Sequence, residues 1–279
     1  MTVQQNLDFD FGTALAAGAR LAGFLALVAV MVPVHVVYSA LKPQDAFRTP
    51  IIFHRLLIRI LGFRVRVHGA MATARPVLFV SNHSSYLDIT VLGTIIPGAF
   101  VAKADVRSWP LFGMLARLQH TLFIERRSSR TLEQKDGMRK RFEAGHNLIL
   151  FPEGTSSDGL RVLPFKSGLF SALENESIAV TVQPVSVICT EIDDLPITRC
   201  MRPYYAWYGD MTLTGHLWNV FKFGRFTVDV VFHPPLSPKA FPDRKALAAH
   251  CQQQVTHGIE QCLTGRNFES AAILTAPQH

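Results

Sequence analysis

The chain has 279 residues, which is enough for one large domain or two small ones. Apolar residues make up 48% of it and the formal net charge is +7, so contact with lipid and an acidic or anionic partner are both indicated. The four cysteines have neither C-x-x-C nor metal-ligand spacing, which argues against a disulfide framework and favours free thiols in a reducing compartment.

An apolar segment without Asp, Glu, Lys or Arg runs from Leu21 to Leu41. As a helix it is expected to be about 32 Å long, and the hydrocarbon core of a bilayer is about 30 Å thick. The acidic tail in front of it is unlike that of a signal peptide, so the segment predicts a membrane anchor. A buried helix of a globular protein is the alternative, and Pro33 and His35 leave open a kinked segment that re-enters one leaflet.

A basic amphipathic helix is expected directly after the apolar segment. Arg48, Arg55 and Arg59 recur at spacings of seven and four, so they share one stripe, while apolar residues fill the other faces. Such a helix suits anionic lipid headgroups, although an ordinary solvated face also explains the charges. We expect residues 1–62 to form an anchor at the cell inner membrane, with the rest of the chain on the cytoplasmic side, where arginines accumulate.

Short β-rich runs alternate with helical patterns from residue 63 onward. The runs RVRVHG, PVLFVS, AFVAKA, TLFIER, NLILF, AVTVQPVSV and FTVDVVF predict strands, and helices are expected near 88–96, 110–118, 131–144 and 244–263. This alternation predicts one α/β domain over 63–265, with a mixed, largely parallel sheet flanked by helices. Residues 266–279 are expected to form a flexible tail.

The stretch SNHSSYLD follows the apolar run PVLFV and places His83 five residues before Asp88. On one regular helix the two side chains point about 140° apart, so they meet only if His83 lies on the turn and Asp88 in the next helix, with Ser84 or Ser85 as N-cap. Asp88 would then fix the imidazole tautomer and leave the other nitrogen free to accept a proton from a hydroxyl. Because about 0.5 such pairs are expected by chance, a capped turn with a surface histidine is the alternative.

A second apolar run with a polar turn, NLILFPEGTSS, follows farther along the chain. If the two strands are parallel neighbours, both turns open at the same edge of the sheet, which is the usual place for a site. Glu153 is then expected to project near His83.

The blocks NHSSYLD, FIERR, FPEGTSS and VQPVS occur in the order and spacing of the glycerolipid acyltransferase family, which includes the 1-acylglycerol-3-phosphate acyltransferases. The chain resembles that family over residues 60–190. The resemblance implies that His83 is the general base, that Asp88 orients it, and that the acceptor hydroxyl attacks an acyl thioester directly. It also implies substrate-binding positions in and beside these blocks, namely Asn82, Arg126, Glu153, Gly154, Thr155, Ser156, Lys166 and Pro184.

Attack on a thioester builds negative charge on the carbonyl oxygen, which needs a donor or a cation. Lys103 ends the run AFVAKA and is expected at the same sheet edge, so it is the candidate oxyanion stabiliser and third catalytic residue. The alternative is an ordinary strand-end lysine that faces water.

One position departs from the phosphate-using members, in which the third block reads EGTR. Here Ser156 stands in place of that arginine, and a dianionic headgroup favours a bidentate cation. Arg161 is a candidate replacement. The versions EGTSSDG-x-RVLPFKS, PYYAWYGDM and FHPPL are more similar to the lyso-ornithine lipid O-acyltransferases, which esterify the hydroxyl of a 3-hydroxyacyl-ornithine. Lyso-ornithine lipid is therefore the leading expected acceptor, and lysophosphatidate is the alternative.

Three other classes are weighed against this interpretation. A metal hydrolase lacks a dense ligand set here, and we predict no metal and no cofactor beyond the thioester co-substrate. A non-catalytic lipid-binding protein remains an alternative in which the basic helix alone acts. Nucleic-acid binding is least favoured because the basic stripe adjoins an apolar anchor. The expected partners are a lysolipid, an anionic membrane surface and an acidic acyl carrier protein, with acyl-CoA as the other possible donor.

Overall fold

A nine-stranded mixed sheet forms the centre of the protein, and the computed structural model describes it within residues 11–124, 131–174, 178–265 and 272–274. The strands are β1 (Arg64–His68), β2 (Val77–Ser81), β3 (Gly98–Lys103), β4 (Leu122–Ile124), β5 (Asn147–Leu150), β6 (Thr181–Ile192), β7 (Leu195–Pro196), β8 (Phe226–Phe232) and β9 (Ala272–Leu274). The helices are α1 (Phe11–Leu41), α2 (Arg48–Leu61), α3 (Leu87–Gly93), α4 (Phe112–Leu118), α5 (Thr131–Glu143), α6 (Leu213–Lys222) and α7 (Arg244–Thr264).

The strand order is β4-β3-β5-β2-β6-β8-β1-β9, with β7 paired to the end of β6. The five strands from β4 to β6 are mutually parallel, β8 is antiparallel to β6 and parallel to β1, and β9 is antiparallel to β1. This arrangement confirms the predicted mixed, largely parallel sheet flanked by helices. The strands β2 and β5 are neighbours, so their carboxyl ends meet at one edge.

The central strand β2 is buried along its whole length because both faces of the sheet are covered. Val77 and Phe79 point into a core formed with α1, α2, α3 and α6. Leu78 and Val80 point into a second core formed with α5, α7 and the short helical segment at 167–174. The alternation of side chains along the strand thus distributes one apolar run over two layers.

Helix α1 runs through Pro33 without a break and packs on α2 and α6. Within its stretch Ala14–Leu41, an 18-residue window has a mean hydropathy of 2.2, so the helix is long and apolar enough to span a membrane. One side of α1 buries Phe24 and Val28 in the core. The other side exposes a set of apolar residues, Leu25, Val30, Val34, Val36, Val37 and Leu41. An exposed apolar face of this extent is typical of a surface that contacts lipid or a partner.

Helix α2 has the predicted amphipathic form. Arg48, Arg55 and Arg59 are exposed on one stripe, and Leu57 and Leu61 are buried on the opposite side. Its contact with a membrane stays a prediction.

The structure differs from the sequence prediction at two places outside the site. Helix α6 was not among the predicted helices, because its segment LTGHLWNVFK carries glycine and threonine in the first turn. Within the tail expected to be flexible, Ala272–Leu274 forms β9 and pairs with β1. Three apolar residues are too few to predict such a strand from the sequence. The rest of the tail lies outside the described residues.

Candidate active site

His83 lies on the turn that leaves β2, and Asp88 lies in the first turn of α3. His83 Nδ1 is 3.0 Å from Asp88 Oδ2. Ser85 supports the start of the helix, since its Oγ accepts a hydrogen bond from the Leu87 N–H at 3.3 Å. The turn and the helix bring the imidazole and the carboxylate together as expected, but the predicted N-cap is wrong, because Tyr86 and neither Ser84 nor Ser85 is the N-cap of α3.

Asp88 is fully buried, and both oxygens of its carboxylate accept hydrogen bonds. The backbone N–H groups of Ser84 and Ser85 donate to Oδ2 at 2.7 and 2.9 Å. The hydroxyl of Tyr205 donates to Oδ1 at 2.9 Å, and Ser84 Oγ is 3.3 Å from the same atom. These donors satisfy the buried charge and fix the carboxylate, so that Oδ2 meets Nδ1 of the imidazole in one orientation.

Glu153 lies after β5 and fixes the backbone of His83, as expected from the parallel strands. Its Oε1 accepts from the His83 N–H at 2.9 Å and its Oε2 from the Leu163 N–H at 3.1 Å. Burial raises the pKa of Glu153 to about 8, against the opposite effect of these two hydrogen bonds. The structure therefore gives Glu153 a positioning contact with the backbone of His83. The Ser157 N–H donates to the His83 carbonyl at 3.0 Å and completes this link between the two turns.

A stack of aromatic rings leads from His83 toward an apolar cavity. The imidazole stacks on Phe151 with ring centroids 4.2 Å apart, and Phe151 stacks on Phe100 at 6.1 Å. Phe100 lines a cavity of 160 Å³ between α1 and α2 on one side and α3, β3 and α4 on the other. Tyr86 also lines it and holds its hydroxyl 3.0 Å from His216 Nδ1. Such an apolar cavity can hold an aliphatic chain.

A segment after β7, residues 202–207, covers the turn that carries His83. The Trp207 N–H donates to the Ser84 carbonyl at 2.8 Å, and Tyr205 binds Asp88 as described above. Ser156 Oγ donates to the Trp207 carbonyl. The block PYYAWYGDM contains Tyr205, but the sequence pattern does not tell which of its tyrosines faces inward, so Tyr205 is not among the predicted site residues.

The remaining predicted residues lie at different distances from the base. Asn82 is buried and exchanges two hydrogen bonds of 2.8 Å with the backbone of Val187 on β6, so its amide holds the turn against the sheet. Pro184 is buried inside β6, opposite Val80 of β2. Gly154 lies in the turn after β5 with a positive φ of 71°, and Thr155 beside it is exposed. The substrate contacts predicted for these residues stay predictions.

Two of the predicted cations, Lys103 and Lys166, form no hydrogen bond or ion pair with His83 within the described part of the chain. Lys103 lies at the same sheet edge but two strands away from β2, and its ammonium forms an ion pair with Asp105. Lys166 is exposed, and its backbone N–H donates to the Pro152 carbonyl at 3.0 Å. Arg126 lies outside the described residues. Among the described residues, no group of three or more His, Cys, Asp or Glu side chains is placed to hold a metal ion.

Comparisons with known proteins agree with this geometry. The acyltransferase family matches residues 64–188. A lyso-ornithine lipid O-acyltransferase of Brucella abortus is 40% identical over 90% of this chain and 96% of its own length. A 1-acyl-sn-glycerol-3-phosphate acyltransferase of Neisseria meningitidis is 30% identical over 76% of this chain and 81% of its own length. The crystal structure of the 1-acyl-sn-glycerophosphate acyltransferase of Thermotoga maritima has the same fold, with a TM-score of 0.66 and 22% identity over 93% of this chain and 98% of that one. The chain that carries this His–Asp pair belongs to the acyltransferase family.

Proposed function

We propose that this acyltransferase moves a fatty acyl chain from a thioester on acyl carrier protein to the hydroxyl of lyso-ornithine lipid. The observation that carries the proposal is the 40% identity, over nearly the whole length of both chains, to an enzyme named for that acceptor. Ser156 supports it from the site, because its hydroxyl binds the Trp207 carbonyl at a position where phosphate-using relatives typically carry an arginine. A 1-acyl-sn-glycerol-3-phosphate acyltransferase is the second candidate, supported by lower identity to the Neisseria enzyme.

The chemistry follows from the tautomer that Asp88 favours. With its proton on Nδ1, facing Asp88, the His83 ring offers Nε2 as a base, and this atom has no hydrogen-bond partner among the described residues. The acceptor oxygen forms a bond to the thioester carbon as its proton passes to Nε2. The tetrahedral oxyanion collapses, the carbon–sulfur bond breaks, and the proton on His83 neutralises the departing thiolate. His83 thus acts first as base and then as acid, without a covalent acyl-enzyme.

The proposed surroundings of the reaction are a membrane and an acidic donor. Helices α1 and α2 pack on each other, and the exposed apolar side of α1 together with the arginine stripe of α2 suits an anionic bilayer. The net charge of +7 suits an acidic acyl carrier protein. We place the catalytic domain on the cytoplasmic side of the inner membrane, since the arginines of α2 follow the apolar helix directly.

A competition assay tests the proposal. Detergent-solubilised enzyme receives acyl carrier protein loaded with a labelled chain, together with equal amounts of lyso-ornithine lipid and lysophosphatidate. We expect the label in ornithine lipid and a loss of about 10²- to 10⁴-fold in His83→Ala, because general base catalysis contributes that much. His257→Ala, an exposed histidine on α7, is the matched control and retains full activity.

Each other result has a defined meaning. Label in phosphatidate means that the acceptor proposal is wrong and that other cations bind the phosphate. Equal turnover by wild type and His83→Ala contradicts the assigned base. Equal transfer from acyl-CoA contradicts a preference for the carrier protein.

A further inference from the structure

A buried arginine lies beside the active-site turn, and no carboxylate of the described residues forms an ion pair with it. Arg202 is only 6% exposed. Its Nη1 donates to the Gly159 carbonyl at 3.2 Å, and its Nε has no hydrogen-bond partner among the described residues. Asp158 attracts the guanidinium at longer range without forming an ion pair in this part of the chain. A buried cation with unused donors is unfavourable unless an anion arrives to meet it.

The position of this guanidinium relates it to the reacting groups. Gly159 separates it from the turn that carries the base: a Cβ placed on Gly159 would lie 3.4 Å from Ser84 Cβ and 3.5 Å from Arg202 Nη1. The Arg202 carbonyl accepts from the N–H groups of Tyr205 and Ala206 at 3.0 and 2.8 Å. The turn that holds Arg202 is therefore the one that brings Tyr205 to Asp88.

We propose that Arg202 binds the carboxylate of the acceptor headgroup. The inference rests on the proposed function, because a lyso-ornithine lipid carries a free α-carboxylate next to the amide of its 3-hydroxyacyl chain. Six covalent bonds join the reacting hydroxyl oxygen to the carboxylate carbon, which is roughly 7 Å in an extended chain. When the hydroxyl lies at His83, the carboxylate can therefore reach Arg202, which is separated from Ser84 only by Gly159.

The charge balance favours a carboxylate over a phosphate. One guanidinium presents a planar pair of N–H groups that matches a single carboxylate. Burial lowers the pKa of Arg202 below its ordinary value, and a bound anion would reverse that effect. Arg161, the replacement cation considered from the sequence, is exposed and contributes its carbonyl to Ser157. Arg202 is therefore a better candidate than Arg161 for the cation that binds the headgroup in place of the arginine of the EGTR block, where this chain has Ser156.

The test compares two acceptors that differ only in the recognised group, N-(3-hydroxyacyl)ornithine and its α-carboxamide. We expect wild type to prefer the carboxylate by about 10- to 100-fold in kcat/KM, because a charge-assisted pair is replaced by a neutral one. Arg202→Gln should lower kcat/KM for the carboxylate by about that factor and leave the carboxamide nearly unchanged, so that the ratio falls toward one. Arg199→Gln, an exposed arginine in the same turn, should keep the wild-type ratio.

Several outcomes overturn the proposal. Equal losses on both acceptors in Arg202→Gln mean that the residue only supports the fold. Equal kcat/KM of wild type for the carboxylate and the carboxamide also overturns the proposal, and this measurement does not depend on the folding of a variant. Turnover of lysophosphatidate that falls in Arg202→Gln, without turnover of lyso-ornithine lipid, assigns the cation to a phosphate instead. Failure of the proposed function is separate, since it appears as absent wild-type turnover of the carboxylate acceptor itself. Arg202→Lys keeps the charge and should retain part of the preference.

Discussion

The hydroxyl of Tyr205 donates a hydrogen bond of 2.9 Å to Asp88, the residue that holds the imidazole of His83. Tyr205 is 2% exposed, and burial together with the nearby Asp88 raises its pKa well above the ordinary value. The phenol therefore stays protonated and remains a donor. Tyr205 is thus a positioning residue that acts on the base through Asp88.

Tyr205→Phe removes this donor and keeps the ring. We expect kcat to fall about 10-fold with both KM values unchanged, and the unfolding free energy to fall by about 1–2 kcal/mol. Steady-state kinetics separate kcat from KM, and chemical denaturation measures the unfolding free energy. Tyr204→Phe is the control, since that ring packs on Phe223 instead. A wild-type kcat in Tyr205→Phe would refute the positioning role.

Glu153 predicts a stability effect that depends on pH. The folded state binds a proton with a pKa of about 8 and the unfolded state with one of 4.5, so the folded state holds more protons between these values. Stability contributed by the neutral carboxyl is complete below pH 4.5 and is lost as pH rises toward 8. Relative to Glu153→Gln, wild type should therefore lose stability over this range, by up to a few kcal/mol. Thermal unfolding in detergent over the same range measures the difference.

The matched control for Glu153 is an exposed glutamate on α5. Glu143→Gln should differ from wild type by a constant amount over the same pH series. A constant difference for Glu153→Gln as well would mean that the carboxyl is ionised throughout.

Gly93 lies at a close contact between α3 and α2, so a larger residue there should destabilise the protein. A Cβ at Gly93, the last residue of α3, would lie 2.4 Å from Cδ2 of His54 on α2. His54 is buried and bonds Gln119 at 3.1 Å, so the ring has little room to move. Gly93→Ala should cost about 1–3 kcal/mol through overpacking. A Cβ at Gly18 meets no atom of the described residues within 4 Å, so Gly18→Ala should leave the Tm unchanged or raised. An equal Tm for both variants would contradict the close contact at Gly93.

The apolar cavity predicts a change in chain-length preference. Ala116 lines it from α4, so Ala116→Phe fills part of its 160 Å³. We expect activity with long acyl chains to fall about 10-fold while activity with short chains is retained, which a series of donors and acceptors of graded length measures. Ala240→Phe, at an exposed position outside the cavity, should leave the profile unchanged. An unchanged profile in Ala116→Phe would place the acyl chain elsewhere.

The sequence predicted those parts of the site that depend on local patterns. The pairing of His83 with Asp88 needs only a strand, a turn and a helix in succession, and the contact with Glu153 needs only two adjacent parallel strands. Tyr205 and Arg202 could not be predicted because their contacts depend on how a distant segment folds back over the turn. Ser156 shows the same limit, since its hydroxyl faces the Trp207 carbonyl only once that segment is in place.

The distance of 117 residues between Asp88 and Tyr205 has a consequence for biosynthesis. A chain grows from its N-terminus, so α1 and α2 leave the ribosome well before the segment that completes the hydrogen bonds of Asp88. Contacts so far apart in sequence also form late in folding, because the intervening loop must close first. The proposed lipid-binding helices are therefore synthesised before the contacts of Asp88 are complete, so the proposed delivery to the bilayer would precede the onset of catalysis.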